Sequence, residues 1–168
     1  MAKYIFIPDA GQQLPEIKQK GAHTASKSRS EEEEFEDEVP NFSATQRLEQ
    51  LARELGFPTE GVHFHIEDET VHLKGKVKNQ ELKEKLILLS GNLQGITEVM
   101  EELTPQDTTE ASHFHTVTRE DNLKIISQKY FEDANRYKEI IEANAPFIEK
   151  EGDIYPGMVI RVPSLSQK

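Results

Sequence analysis

Two kinds of residue pattern in this chain could do chemistry: a set of histidines on alternating runs, and a glycine-rich stretch after an apolar one. Val62-His63-Phe64-His65-Ile66 and Val71-His72-Leu73-Lys74-Gly75-Lys76-Val77 both alternate apolar with polar residues, the period of a strand with one buried face. With Asp68-Glu69 as a two-residue hairpin loop, Ile66 faces Val71, Phe64 faces Leu73 and Val62 faces Gly75. All the apolar side chains then share one face. His63, His65 and His72 share the other, with His65 directly opposite His72. That face could hold a divalent metal, yet no carboxylate or outer hydrogen-bonding shell accompanies it, and histidines on a half-exposed sheet need no ligand. His113 and His115 read the same way.

The other pattern is Ser90-Gly91-Asn92-Leu93-Gln94-Gly95-Ile96. A helix carrying Leu82, Leu86 and Leu89 and stopping at Ser90-Gly91 leaves its last carbonyls without intrahelical partners, at the negative end of the helix dipole. Gly91 and Gly95 permit the backbone to curl those oxygens inward. A cation is one natural partner for them; an ordinary helix cap whose carbonyls meet water is the other.

Catalytic sets are missing. The chain has no cysteine, which removes thiol catalysis, disulfides and cysteine-ligated zinc together. It also lacks a nucleophile elbow, a Walker loop, a dinucleotide-binding glycine motif and a His-Glu-x-x-His helix. The carboxylate pair Glu67/Asp68 falls on an expected exposed turn, where nothing separates two pKa values. No enzyme is expected.

The elements that position these residues follow from composition. Across 168 residues the net charge is −11, which disfavours nucleic acid and anionic lipid as partners, since both draw affinity from Lys and Arg. Tyr4–Ile7 is too short an apolar stretch for a signal peptide or a membrane span. The chain is therefore expected in the cytoplasm, without membrane insertion, with this stretch docking on a folded part. Residues 20–42 hold the run Glu31–Glu38, seven acids interrupted by Phe35, which repels itself and is expected to be a flexible linker. Leu48–Leu103 and His115–Val162 each carry periodic apolar positions, so two cores of about 50–60 residues are expected, both near the lower size limit for a domain.

In the first, Ser43 or Thr45 caps a helix through Leu48, Leu51, Ala52 and Leu55 that Gly56 ends. The hairpin follows, then a helix capped by Asn79 with Glu81 and Glu84 near its N-terminal end, then a strand over Ile96–Leu103. In the other, Asp121 can cap a helix through Leu123, Ile126 and Tyr130, and Asn135 one through Tyr137, Ile140 and Ile141. Asn144 suits a helix end, Pro156-Gly157 makes a turn, and Pro163 stops the last strand.

The N-terminal unit, α-β-β-α-β with its helix-Gly-x-x-x-Gly-Ile-strand ending, resembles the BON domain. The C-terminal unit resembles LysM, a β-α-α-β module, through Thr116-Val117, Asp121-x-Leu123, Ala143-Asn144, Ile154-Tyr155-Pro156-Gly157 and Ile160-Arg161-Val162-Pro163. These likenesses imply an α+β fold divided into a head (1–19) packing on BON, the linker (20–42), BON (43–103), a further linker (104–112) and LysM (113–164).

The head Phe6-Ile7-Pro8-Asp9-Ala10-Gly11, one BON module and one C-terminal LysM module together resemble the bacterial cytoplasmic potassium-binding protein family. That resemblance implies a monomeric, non-enzymatic K+ sensor linked to stress responses, whose LysM module closes on BON when the ion arrives. It also implies an ion site of main-chain carbonyls from Ile7, Ala10, Gly91, Leu93, Gly95 and Ile96. Potassium is large and weakly hydrated, so neutral carbonyl dipoles replace its water at low cost, whereas carboxylates attract magnesium and calcium. Pro8 departs from the family's head but removes no carbonyl. LysM domains in general bind N-acetylglucosamine glycans, which makes a peptidoglycan-binding envelope adaptor the alternative. Glu120-Asp121-Asn122 departs from their usual Gly-Asp-Thr. A third reading is a scaffold whose BON sheet meets another protein.

Overall fold

The computed structural model describes residues 2–7 and 43–164. The acidic run Glu31–Glu38 and the head beyond Ile7 lie outside the described residues.

The first module begins with α1 (Ala44–Glu54). Ser43 caps it in a reciprocal box with Gln46: the Gln46 N–H donates to Ser43 Oγ at 3.3 Å, and the Ser43 N–H to Gln46 Oε1 at 2.9 Å, so two orphan donors are satisfied at once. Leu48 and Ala52 are fully buried on its inner stripe. β2 (Val62–Glu67) and β3 (Thr70–Asn79) form the expected hairpin, with Val62 opposite Gly75, Phe64 opposite Leu73 and Ile66 opposite Val71. Asp68 takes the left-handed conformation this tight turn needs (φ 52°).

Helix α2 (Gln80–Gly91) follows at once, its N-terminus capped by Asn79 Oδ1 accepting from the Leu82 N–H at 2.9 Å. It crosses over to β4 (Glu98–Asp107), which runs parallel to β3, as a helical crossover requires. β4 continues past the expected end at Leu103 into the residues read as a linker, because β3 itself runs on to Asn79 and offers partners as far as Asp107. Pro105 is tolerated there because the flanking strand on the other side ends opposite Glu101.

That flanking strand comes from the N-terminus. β1 (Ala2–Ile5) pairs antiparallel with β4, giving the sheet order β1-β4-β3-β2. The apolar stretch Tyr4–Ile7 thus docks as an added strand plus one anchor, Phe6, which is 5% exposed.

The second module has a two-stranded antiparallel sheet of β5 (His113–Thr116) and β6 (Val159–Val162) against α3 (Leu123–Phe131) and α4 (Tyr137–Ala143). Two expected caps are corrected. Asn122, not Asp121, caps α3, accepting from the Ile125 N–H at 2.9 Å. Asp121 instead accepts from the Thr118 N–H and pairs with His115, both at 2.9 Å. Burial opposes the charge on Asp121, but these hydrogen bonds outweigh it and hold the carboxyl below its usual range. Asp133, not Asn135, caps the 3-10 turn Ala134–Arg136 that leads into α4. The Pro156-Gly157 turn forms as expected, with Gly157 at φ 90° and its N–H on the Val117 carbonyl.

The two cores are contiguous. Val159 of β6 is buried within the first core, and Phe114 and Phe147 pack against it.

Gly75 generates a prediction. Its φ is +136°, and a Cβ there would lie 1.9 Å from the Gly61 carbonyl oxygen. Gly75→Ala combines backbone strain with a clash against backbone, so it is expected to cost about 2–4 kcal/mol, read as a lowered urea midpoint with an unchanged m-value.

Candidate ion site and the interface beside it

The expected carbonyl donors come from two segments that the fold brings together. The Phe6 ring lies directly on Gly91: a Cβ on Gly91 would come within 2.1 Å of Phe6 Cζ. The Phe6 N–H donates to the Thr97 carbonyl at 2.9 Å. Ile7 therefore leaves the sheet beside the Gly91–Ile96 turn, half-exposed. Ala10 lies outside the described residues.

The reason for Gly91 differs from the one expected. It remains the last residue of α2 and is not among the glycines of positive φ; it is small because an aromatic ring occupies the place of its side chain. Gly95 does take the left-handed conformation (φ +88°), which turns the chain from the helix end into β4. Within the turn, Ile96 N–H donates to the Leu93 carbonyl at 3.2 Å, and Asn92 N–H to the Leu88 carbonyl at 3.0 Å. Leu93 and Ile96 are buried and Gly95 is exposed. Among the described residues, no donor is directed at the carbonyls of Gly91, Gly95 or Ile96. The Gly91 carbonyl at the end of α2, with those of Gly95 and Ile96 in the turn after it, can receive a cation or water.

The histidine face forms with the expected register, but it gathers only a pair. His65 lies opposite His72 with ring centroids 6.1 Å apart, whereas His63 is opposite Lys74. Among the described residues, no group of three or more His, Asp or Glu side chains is placed to hold a metal. In the second module, His113 stacks on Tyr130, and buried His115 is engaged by Asp121 and Tyr130.

What sequence reading missed lies on the other side of α2. Glu84, expected as an acid near the N-terminal end of the helix, is 3% exposed. It meets Arg161 of β6, whose Nε donates to Glu84 Oε2 at 2.8 Å. The other oxygen, Oε1, accepts from the Ser112 N–H at 2.9 Å and from Gln80 Nε2 at 3.0 Å. The rest of the guanidinium donates to the Ala143 carbonyl at 2.8 Å and to Ser112 Oγ at 3.0 Å. Nearby, a hydrogen bond from Lys85 outweighs partial burial and, with the Lys85 and Arg161 charges, holds the Glu81 carboxyl below its usual range. One signal for this interface was legible: Leu86-Ile87-Leu88-Leu89 is apolar all round a helix, and such a helix must be covered on both sides.

Two asparagines hold the outer edge of β6, Asn144 from within the second module and Asn92 from the first. Asn144 donates to the Arg161 carbonyl at 2.7 Å and accepts from the Arg161 N–H at 2.8 Å. Asn92 treats Val159 in the same way, at 2.8 and 2.9 Å. Ring contacts flank them, Tyr4 with Phe114 at 5.3 Å and Phe57 with Phe147 at 5.7 Å.

Removing one partner of a buried pair leaves the other charged and unpaired. Arg161→Met is therefore expected to lower unfolding free energy by about 3–5 kcal/mol. Lys74→Met, which breaks the exposed Lys74–Glu102 pair, should change it by less than about 1 kcal/mol. Equilibrium denaturation of the two variants checks the contrast.

Comparison with known proteins agrees with this architecture. A family model for the BON domain matches residues 39–105, and one for the LysM domain matches residues 115–163. Over 164 residues the chain is 29% identical to the potassium binding protein Kbp of Escherichia coli O6:H1, covering 97% of this chain and 99% of that one. The chain is thus an α+β protein of a BON domain followed by a LysM domain, and along nearly its whole length it is similar to that potassium binding protein.

Proposed function

We propose that this protein binds potassium through main-chain carbonyls of Ile7, Ala10, Gly91, Leu93, Gly95 and Ile96, and that the BON and LysM modules draw together when it does. The observation that carries the reading is the seating of Phe6 on Gly91 with its N–H on the Thr97 carbonyl. This contact sets the head beside a turn whose Gly91, Gly95 and Ile96 carbonyls have no donor among the described residues. The relative's name, potassium binding protein, supports the choice of ion.

The chemistry supports it as well. Six neutral dipoles can replace the loosely held water of a monovalent ion, while a divalent ion keeps its own water unless carboxylates compensate it. The end of α2 adds the negative end of its dipole to the same place. In this reading the protein is a non-enzymatic monomer of the cytoplasm that reports potassium by compaction, because a ligand joining the head to the BON turn favours whichever arrangement orders both.

Calorimetry with potassium, sodium and magnesium chlorides, paired with small-angle scattering, tests the reading. Potassium should give saturable heat and a smaller radius of gyration, and magnesium neither; no heat and no compaction with potassium would overturn it. Gly95→Ala adds a variant aimed at the turn. A Cβ there meets open space but the left-handed backbone is strained, so the fold should lose only about 1 kcal/mol while potassium affinity falls at least tenfold.

A further inference from the structure

Asn92 stands inside the Gly91–Ile96 turn, yet its side chain leaves that turn and joins the LysM module. Its backbone N–H stays on the Leu88 carbonyl at 3.0 Å. Its amide donates to the Val159 carbonyl at 2.8 Å and accepts from the Val159 N–H at 2.9 Å. One planar side chain thus takes both backbone groups of a β6 residue, as a neighbouring strand would, and such a two-point contact depends on orientation as well as distance.

The covalent geometry links that contact to the ion. The Gly91 carbonyl and the Asn92 nitrogen belong to one peptide unit, so an ion that fixes this oxygen also fixes the backbone from which the Asn92 side chain leaves. The Glu84–Arg161 pair is a contact of another kind. Glu84 meets Arg161 two turns back within the body of α2, away from the carbonyls of the proposed site. The interface therefore has a pivot at Glu84–Arg161 and a contact at Asn92–Val159 placed to feel the turn. Between the modules beside it lies a cavity of about 320 Å³, lined by Leu51, Leu55, Leu89, Leu93, Phe147 and Met158. Closure has room to proceed there.

We propose that Asn92 is the positioning residue that couples ion binding at the Gly91–Ile96 turn to docking of the LysM strand β6, an inference that rests on the potassium reading above. Linkage makes the coupling reciprocal: if potassium tightens the Asn92–Val159 contact, losing that contact weakens potassium by the same factor. Asn92 contributes no coordinating oxygen from its side chain, and its φ of −82° is open to any residue. Its replacement therefore leaves the carbonyl set in place.

The test uses the full chain with Asn92→Ala and, to keep the interface filled, Asn92→Leu. Potassium calorimetry is paired with amide hydrogen exchange at Val159 and at Gly95, with and without potassium. In the unaltered protein potassium should slow exchange at both amides. In either variant the Gly95 amide should still respond, the Val159 amide should exchange at a rate independent of potassium, and affinity should fall about tenfold. A variant that binds with unchanged affinity and still protects Val159 overturns the role of Asn92 and leaves the potassium reading standing. An unaltered protein that gives no potassium heat overturns both.

Discussion

The structure depends on a buried ion pair whose every hydrogen bond is accounted for. Taking Glu84 and Arg161 out of water costs several kcal/mol per ion, and their attraction offsets this only if the remaining polar atoms also find partners. Here they do: Ser112 and Gln80 serve the free carboxylate oxygen, and Ala143 and Ser112 serve the guanidinium. Ser112 contributes through both its N–H and its hydroxyl, so the connection between modules is held at the same point. A pair this specific fixes which face of α2 meets which end of β6. Apolar contacts alone would leave several registers near in energy.

Two small cores thereby support one another. Each is close to the size below which a domain has little surplus stability, and each lends the other buried surface. Val159 of the LysM strand sits in the BON core, Phe147 packs on both cores, and Tyr4 of the head meets Phe114. Helix α2 is the shared wall, with the sheet on one side and β6 on the other. That arrangement explains why Leu86, Ile87, Leu88 and Leu89 are all buried although no single helix face could contain them.

Much of this was legible in the sequence, and the parts that were not share a physical cause. Period-two alternation determined the β2–β3 register to the residue, because a slip by one would have turned Phe64 and Leu73 to water. Capping chemistry placed the starts of α1 and α2. Roles that depend on residues far along the chain were misread: Glu84 resembled a dipole-compensating charge because its partner lies 77 positions away. Gly91 was read as letting the backbone curl its oxygens inward, because nothing nearby announced that Phe6 would fill its side-chain position. Asp121 and Asn122 compete for one cap, and His115 decides between them by engaging the aspartate. The proposed ion donors are the hardest case, since every residue has a carbonyl and only the fold shows which of the described ones have no described donor.

A site of this kind also reconciles the charge of the chain with a monovalent ligand. At a net charge of −11, carboxylates pointed at the site would concentrate divalent cations in preference to potassium. Five acids of the BON domain do something else. Glu81, Glu98, Glu101 and Glu102 are engaged by lysines, and Glu84 by Arg161. In the proposed site the local field comes from peptide dipoles and the end of α2, strong enough to replace the weak hydration of a large monovalent ion and too weak to strip a divalent one. Selectivity by charge density then follows from the backbone, and it requires that no acidic side chain enter the turn. Asn92 meets that requirement while still reaching across to Val159. An aspartate in its place would keep the acceptor for the Val159 N–H, lose the donor to the Val159 carbonyl, and set a full negative charge beside the ion.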